Sequence, residues 1–354
     1  MSRNYRIKDI AEMAGVSTGT VDRILHNRGK VSEEARKKVE KVLEEINYQP
    51  NLIARSLALK KEYHFYTLIP SFNQGEYWET FCLGVKKAEQ ELLSYNVFVH
   101  NLFFDQYDKS SFDELVDQVA QAEDCQGVVI ATLFMDSALH LAHLLDEQAV
   151  PYVLVDAYID QTKCISYYGT HSHDSGYIAG RLLLGQIEED DDIVIFRFIR
   201  KGDLYSTQVQ KREKGFRDYL LENHYKGKIH PIAIHADDQE NNTILLDQFF
   251  ETHPQINAGI IFNSRAHLLG NYFSERQPEK QFKLIGYDVI DENVYYLNSG
   301  HITHLIAQRP EVQGVNCIKA LFRYLVLEKL PPPINYMPID ILVKENIQYY
   351  NNYI

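Results

Sequence analysis

Beyond residue 62, strand-sized apolar runs recur with helical stretches between them, and this alternation most constrains the fold. The runs are Phe65–Ile69, Val97–Phe103, Gly127–Ala131, Tyr152–Val155, Ile193–Phe198, Ala258–Phe262 and Lys283–Gly286. Near-continuous apolar strands separated by helices are the pattern of parallel sheets covered on both faces. With 354 residues, 45% of them apolar, the chain can bury more than one core.

The first 50 residues follow a different period. Ile7, Ile10, Ala11 and Ala14 fall at i, i+3, i+4 and i+7, one face of a short helix that stops at Gly15. Ser17 can cap a second helix, whose Val21, Ile24 and Leu25 repeat the spacing before Asn27 to Gly29 breaks it. Ser32 announces a third, with Glu33 and Glu34 in its first turn and an apolar stripe of Ala35, Val39, Val42, Leu43 and Ile46; Pro50 ends it. Small Ala11 and Gly15 are expected to let the first two helices cross closely, as a helix-turn-helix requires.

Charge divides the chain at the same place. Residues 1–62 hold 13 Lys/Arg against 9 Asp/Glu, net +4, whereas the rest carries −17, so a basic head precedes an acidic body. The four cysteines, Cys82, Cys125, Cys164 and Cys317, show neither disulfide nor zinc spacing and fit a reducing compartment. No apolar secretory region opens the chain and no run approaches the ~20 residues that span a bilayer, so a cytoplasmic protein without a membrane segment is expected. The pairs His140/His143, His171/His173 and His301/His304 lack a nearby third ligand, and no metal is expected at them. His171 and His173 read instead as part of a loop and helix cap. No G-x-G-x-x-G after a strand, Walker run or G-x-S-x-G elbow signals an enzyme.

The run Ile7 to Ser17, then Thr20 to Asn27, Val31-Ser32 and Tyr48-Gln49-Pro50-Asn51, resembles the head of the lactose/galactose-repressor family almost position for position. The resemblance implies a DNA-binding head over residues 1–49, with Ser17 and Thr20 as phosphate contacts, Thr18, Gly19 and Arg23 at base-facing places, and Asn27 a further DNA-binding residue. Arg23 offers a bidentate fork to guanine. Thr18 and Gly19 are shorter than the side chains many relatives carry, which shifts readout toward Arg23 and DNA shape. Asp22 stands where Ser is common; it either accepts from cytosine N4 or pairs with a neighbouring Arg. Residues 50–62 form a linker whose Asn51 to Ala58 stretch is too short to be a stable helix alone. By the resemblance it folds on DNA, with Ala54 allowing close pairing and Leu57 wedging between base steps.

The resemblance also covers the body, residues 63–354, implying two Rossmann-like lobes of the type I periplasmic-binding-protein fold with ligand at strand C-termini. The chain is expected to cross between lobes near 160, 300 and 331, giving lobe 1 as about 63–160 plus 301–330 and lobe 2 as about 161–300 plus 331–354. Residues matching the family's ligand positions are Tyr77 and Trp78, placed before a helix, with Asp156, Arg212, Asn263, Asp288 and Gln308. Two carboxylates, a guanidinium and two amides suit a neutral polyhydroxyl ligand, and Trp78, the single Trp, suits a sugar's C–H face. Ser264 departs from the Asp usual after that Asn. Taken together, these features lead us to expect a repressor of carbohydrate-utilisation genes. It would bind a pseudo-palindromic operator on double-stranded DNA as a homodimer and associate with the nucleoid when bound. A sugar-like effector would control it and no cofactor would be needed. Tyr336 to Ile354 shows no leucine heptad that would tie dimers into tetramers. The alternatives are a sugar sensor without DNA activity and an α/β enzyme.

Overall fold

The computed structural model describes residues 5–25, 31–46, 61–199, 206–235 and 238–353. The chain divides into two units, Met1–Ala58 and Leu59–Ile354. No helix among the described residues is long and apolar enough to cross a membrane.

In the first unit the three expected helices form: α1 (Ile7–Ala14), α2 (Thr18–Leu25) and α3 (Glu33–Glu45). Ile10, Ala11, Ala14, Val21, Ile24, Val39 and Val42 supply its core, the stripes read from spacing. Ser17 Oγ accepts the Thr20 amide at 3.1 Å and Ser32 Oγ the Ala35 amide at 3.3 Å, so both expected caps form. Gly15 has a different role from the one expected. A Cβ there would meet nothing within 4 Å, so close helix crossing does not demand it. Its φ of 63° does, since it ends α1 in the left-handed conformation and its amide reaches back to the last turn.

The second unit contains two six-stranded sheets. The first lobe runs β1 (Tyr63–Pro70), α4 (Tyr77–Leu92), β2 (Val97–Phe104), α5 (Lys109–Ala120), β3 (Cys125–Ala131), α6 (Met135–Glu147), β4 (Tyr152–Val155) and β5 (Ser166–Gly169). The second continues through α7 (Ser172–Leu184), β6 (Ile193–Ile199), α8 (Thr207–Glu222), β7 (Ile229–His235), α9 (Gln239–Thr252), β8 (Ala258–Ile261), α10 (Ala266–Arg276), β9 (Lys283–Tyr287), α11 (Asp291–Asn298) and β10 (His304–Ala307). The chain then returns to the first lobe for α12 (Pro310–Leu325) and β11 (Ile334–Tyr336), and to the second for β12 (Asp340–Leu342). The sheet orders are β11-β5-β4-β3-β1-β2, all parallel, and β12-β10-β9-β8-β6-β7, parallel except for antiparallel β12 at the edge.

The three crossings therefore lie later than expected, after Gly169, Ala307 and Tyr336 rather than near 160, 300 and 331. The cause is short strands whose composition hides them. Ser166–Gly169 is Ser-Tyr-Tyr-Gly, yet all four residues are buried and pair with β4, which keeps them in lobe 1. The loop cap at His171 forms, its Nδ1 accepting the Asp174 amide at 3.3 Å.

Two helix crossings are built glycine against backbone. A Cβ on Gly176 of α7 would lie 1.8 Å from the Arg212 carbonyl oxygen, and one on Gly215 of α8 would lie 1.9 Å from that of His173. In lobe 1, Gly84 of α4 and Gly314 of α12 stand in the same relation to Glu311 and Phe81, at 2.0 and 2.2 Å. Only a missing side chain permits this approach, and rigid backbone faces it. Gly176→Ala should lower the body's unfolding free energy by about 3 kcal/mol, the upper range for overpacking, seen as a lower denaturant midpoint at unchanged slope.

Candidate functional site

The ends of four strands and the starts of two helices converge on a cleft of about 570 Å³ between the lobes. Asp156 follows β4, Asn263 lies just beyond β8, Asp288 follows β9 and Gln308 follows β10. Arg212 comes from the second turn of α8. Tyr77 and Trp78 are not before α4, as expected, but are its first two residues, directly after Glu76 at the N-cap position. All seven residues singled out from the sequence line this one cleft.

Arg212 organises its floor. The side chain is only 1% exposed, and its guanidinium lies over the Tyr287 ring with 4.2 Å to the centroid. Nη1 donates to the Phe262 carbonyl at 2.9 Å. Nε and Nη2 are buried and have no hydrogen-bond partner among the described residues. A buried charged donor left unsatisfied is costly, which makes these two N–H groups the natural anchor for an oxygen-rich ligand.

Asp156 and Asp288 are likewise buried, each ending its strand at positive φ, 84° and 68°. Left-handed backbone at a non-glycine residue is strained and recurs where a side chain must be aimed at a ligand. Each carboxylate accepts through Oδ1 from a glutamine amide at 2.7 Å, Asp156 from Gln208 and Asp288 from Gln308. Thr170 Oγ1 in turn donates to Gln308 Oε1 at 3.3 Å and fixes that amide's orientation. Burial raises both carboxyls above their ordinary range, Asp156 to about 6, while the Arg212 charge opposes the rise. Burial and the two acids push the Tyr77 phenol well up, so its hydroxyl stays a neutral group; it too lacks a partner among the described residues.

Trp78 packs edge-on against Tyr77 and Phe81, with centroids 5.1 and 5.4 Å away. Phe134, Phe196 and Phe198 add apolar wall. Across the mouth, Arg265 of lobe 2 pairs with Glu76 of lobe 1 at 3.0 Å and donates to the Tyr107 hydroxyl at 3.2 Å. Asn263 Oδ1 accepts the Arg265 amide at 3.0 Å and shapes the turn into α10, so Asn263 itself holds this turn, and the departure at Ser264 leaves it intact.

Sequence reasoning missed Gln208, Thr170, Tyr287 and the Glu76–Arg265 bridge. Gln208 carried a signal: it stands four residues before Arg212, on a face that continues into buried Phe216. The other three carry no local pattern and become adjacent only through topology.

In the head, Ser17, Thr18, Gly19 and Arg23 are exposed and Thr20 half-buried, a polar face around the start of α2. Ser17 Oγ also lies 2.9 Å from Thr20 Oγ1, and Arg23 Nε donates to the Gly19 carbonyl at 3.0 Å, laying the guanidinium along its own helix. Asn27, Ala54 and Leu57 lie outside the described residues.

Residues 65–329 match the family profile for the periplasmic binding protein domain, and residues 6–51 match that of bacterial regulatory proteins, lacI family. A crystal structure assigned as a LacI transcriptional regulator from Bacteroides fragilis superposes with a TM-score of 0.78 at 38% identity, covering 82% of this chain and 100% of that one. The chain belongs to the lacI family of bacterial regulators. The ribose operon repressor of Halalkalibacterium halodurans is 26% identical over 302 residues, 80% of each chain. The sucrose operon repressor of Staphylococcus xylosus is 26% identical over 304 residues, covering 82% of this regulator and 88% of that one.

The raised Asp156 carboxyl sets a pH dependence. Since it binds a proton more readily folded than unfolded, its contribution is intact below the ordinary carboxyl range near 3.8 and is lost as pH rises through about 6. In Asp156→Asn, the decline in unfolding free energy between about pH 4 and 7 should be shallower by about 3 kcal/mol, measured by denaturant unfolding across that range without ligand.

Proposed function

We propose that this regulator represses carbohydrate-utilisation genes, binding a pseudo-palindromic operator as a homodimer and responding to a sugar or sugar derivative held between its lobes. One observation carries the effector reading: a buried guanidinium with two N–H groups that have no partner among the described residues, set among two carboxylates and an aromatic wall. Hydroxyls both donate and accept, so a polyol bridges Arg212 to Asp156 and Asp288 and satisfies all three at once. The names of the relatives, ribose and sucrose operon repressors, support the same ligand class.

For the head, exposed Thr18, Gly19 and Arg23 on α2 form the base-reading face, and Ser17 and Thr20 approach phosphate from its N-terminus. Arg23 leaves the Gly19 carbonyl to reach guanine. The linker residues Ala54 and Leu57 pair and wedge in the minor groove. Because the effector binds across both lobes, it favours one lobe arrangement, and its affinity is linked reciprocally to that for operator. Such a protein acts in the cytoplasm and performs no catalysis.

Two measurements test the reading. In a gel-shift assay Arg23→Ala should weaken operator binding about 10- to 100-fold, the 1–3 kcal/mol of one bidentate base contact. In a thermal-shift screen of pentoses, hexoses and disaccharides, one sugar should raise the melting temperature, and Arg212→Met or Asp288→Asn should remove that rise while operator binding persists. No shift with any sugar, or one that survives both substitutions, would overturn the effector assignment.

A further inference from the structure

At the opposite ends of the lobe 1 strands, away from the cleft, three potential ligands meet that are far apart in sequence. His64 is the second residue of β1, His100 lies on edge strand β2, and Asp124 sits in the turn entering β3. His100 pairs in register with Tyr66, so His64 and His100 lie diagonally on one sheet face, and Asp124 reaches the same face from the other neighbour of β1. His64 Nδ1 is 2.9 Å from His100 Nε2 and 3.8 Å from Asp124 Oδ2, and one donor atom from each residue lies within 4.8 Å of the others. Donors around a tetrahedral zinc ion, bound at about 2.0–2.2 Å, stand roughly 3.4 Å apart, within the spread seen here.

The surroundings orient these groups for that purpose. The outer nitrogen of His64, Nε2, lies 3.6 Å from the Glu62 carboxylate, while Nδ1 is the ring atom nearest the other two ligands. Tyr66 donates its hydroxyl to Asp124 Oδ1 at 2.9 Å, fixing the carboxylate while Oδ2 faces the imidazoles. Tyr66 also stacks on His100 at 4.7 Å and Phe98 on His64 at 5.4 Å, which restrains both rings. His64 and Tyr66 alternate along β1 and share one face of it.

We propose that His64, His100 and Asp124 bind a divalent transition ion of the zinc class, with solvent at the fourth position. Two imidazoles and one carboxylate select zinc, cobalt or nickel over magnesium or calcium, which demand oxygen ligands. The ion replaces the proton now shared between the two imidazoles, and that proton leaves to solvent. It cross-links β2, β1 and the turn into β3 where the chain enters the body.

The test uses full-length, chelator-treated protein titrated with Co²⁺ and read by its visible d–d absorption. One equivalent should bind and be displaced by Zn²⁺. His64→Ala and His100→Asn should each weaken binding at least tenfold, as should Asp124→Asn, whose exposed turn tolerates the change. His140→Ala/His143→Ala should leave it unchanged, separating this cluster from adventitious histidine binding. Absence of a one-to-one spectrum, or a titration that His100→Asn and Asp124→Asn both leave unchanged, would overturn the site. An effector-induced thermal shift retained in these variants keeps the outcome independent of the cleft.

Discussion

The body rests on two places where helix backbones touch through glycine. At Gly176 and Gly215, α7 and α8 approach so closely that each glycine faces the other helix's carbonyl oxygen. This fixes the depth of α8 against the second lobe, and with it Arg212, whose own carbonyl is the atom Gly176 meets. Gly84 and Gly314 do the same for α4 and α12, and the first turn of α4 delivers Tyr77 and Trp78. Both partners that make the cleft's floor and wall are thus set by backbone contact, which has less freedom to relax than side-chain packing.

Once placed, Arg212 creates an electrostatic problem that the fold leaves partly open. Its buried charge is opposed by two carboxylates, yet only one of its N–H groups has a hydrogen bond among the described residues. Asp156 and Asp288 are each held by a glutamine amide and by strained backbone, so neither is free to collapse onto the guanidinium. A site arranged this way spends folding stability on preorganisation.

The sequence was most legible where burial is two-sided. Six of the seven apolar runs became interior parallel strands, which are covered on both faces and so are apolar almost throughout, and the seventh, Val97–Phe103, became edge strand β2. It was least legible at sheet edges. Ile229–His235 carries two histidines and a proline, and Ile334–Tyr336 and Asp340–Leu342 are three-residue strands, so no apolar run announces them. Of these only Ile334–Tyr336 moves a lobe crossing; the other two crossings lie later because the short interior strands β5 and β10 end at Gly169 and Ala307. Asp156 and Asp288 were readable because a polar residue directly after an apolar strand stands out, whereas Arg212, inside α8, was found through the family resemblance; Thr170 and Tyr287, in less contrasting positions, were not found. Gly15 shows a subtler failure, since the right residue was singled out for close packing when its left-handed φ was the reason for it.

The contacts that span the cleft bear on how a ligand could act at a distance. Arg265 with Glu76 and Tyr107, Gln208 with Asp156, and Thr207 with the Met135 sulfur join the lobes, and none is an apolar contact. A part-exposed ion pair such as Glu76–Arg265 contributes only about 0–1 kcal/mol, so the cost of separating the lobes is small beside that of unfolding either one. The lobe-1 partners, Tyr77, Trp78 and Asp156, stand at the C-terminal end of the same sheet whose N-terminal end receives the chain from residue 61. β1, paired along its whole length with β2 and over Phe65–Leu68 with β3, is the continuous element that joins those two ends.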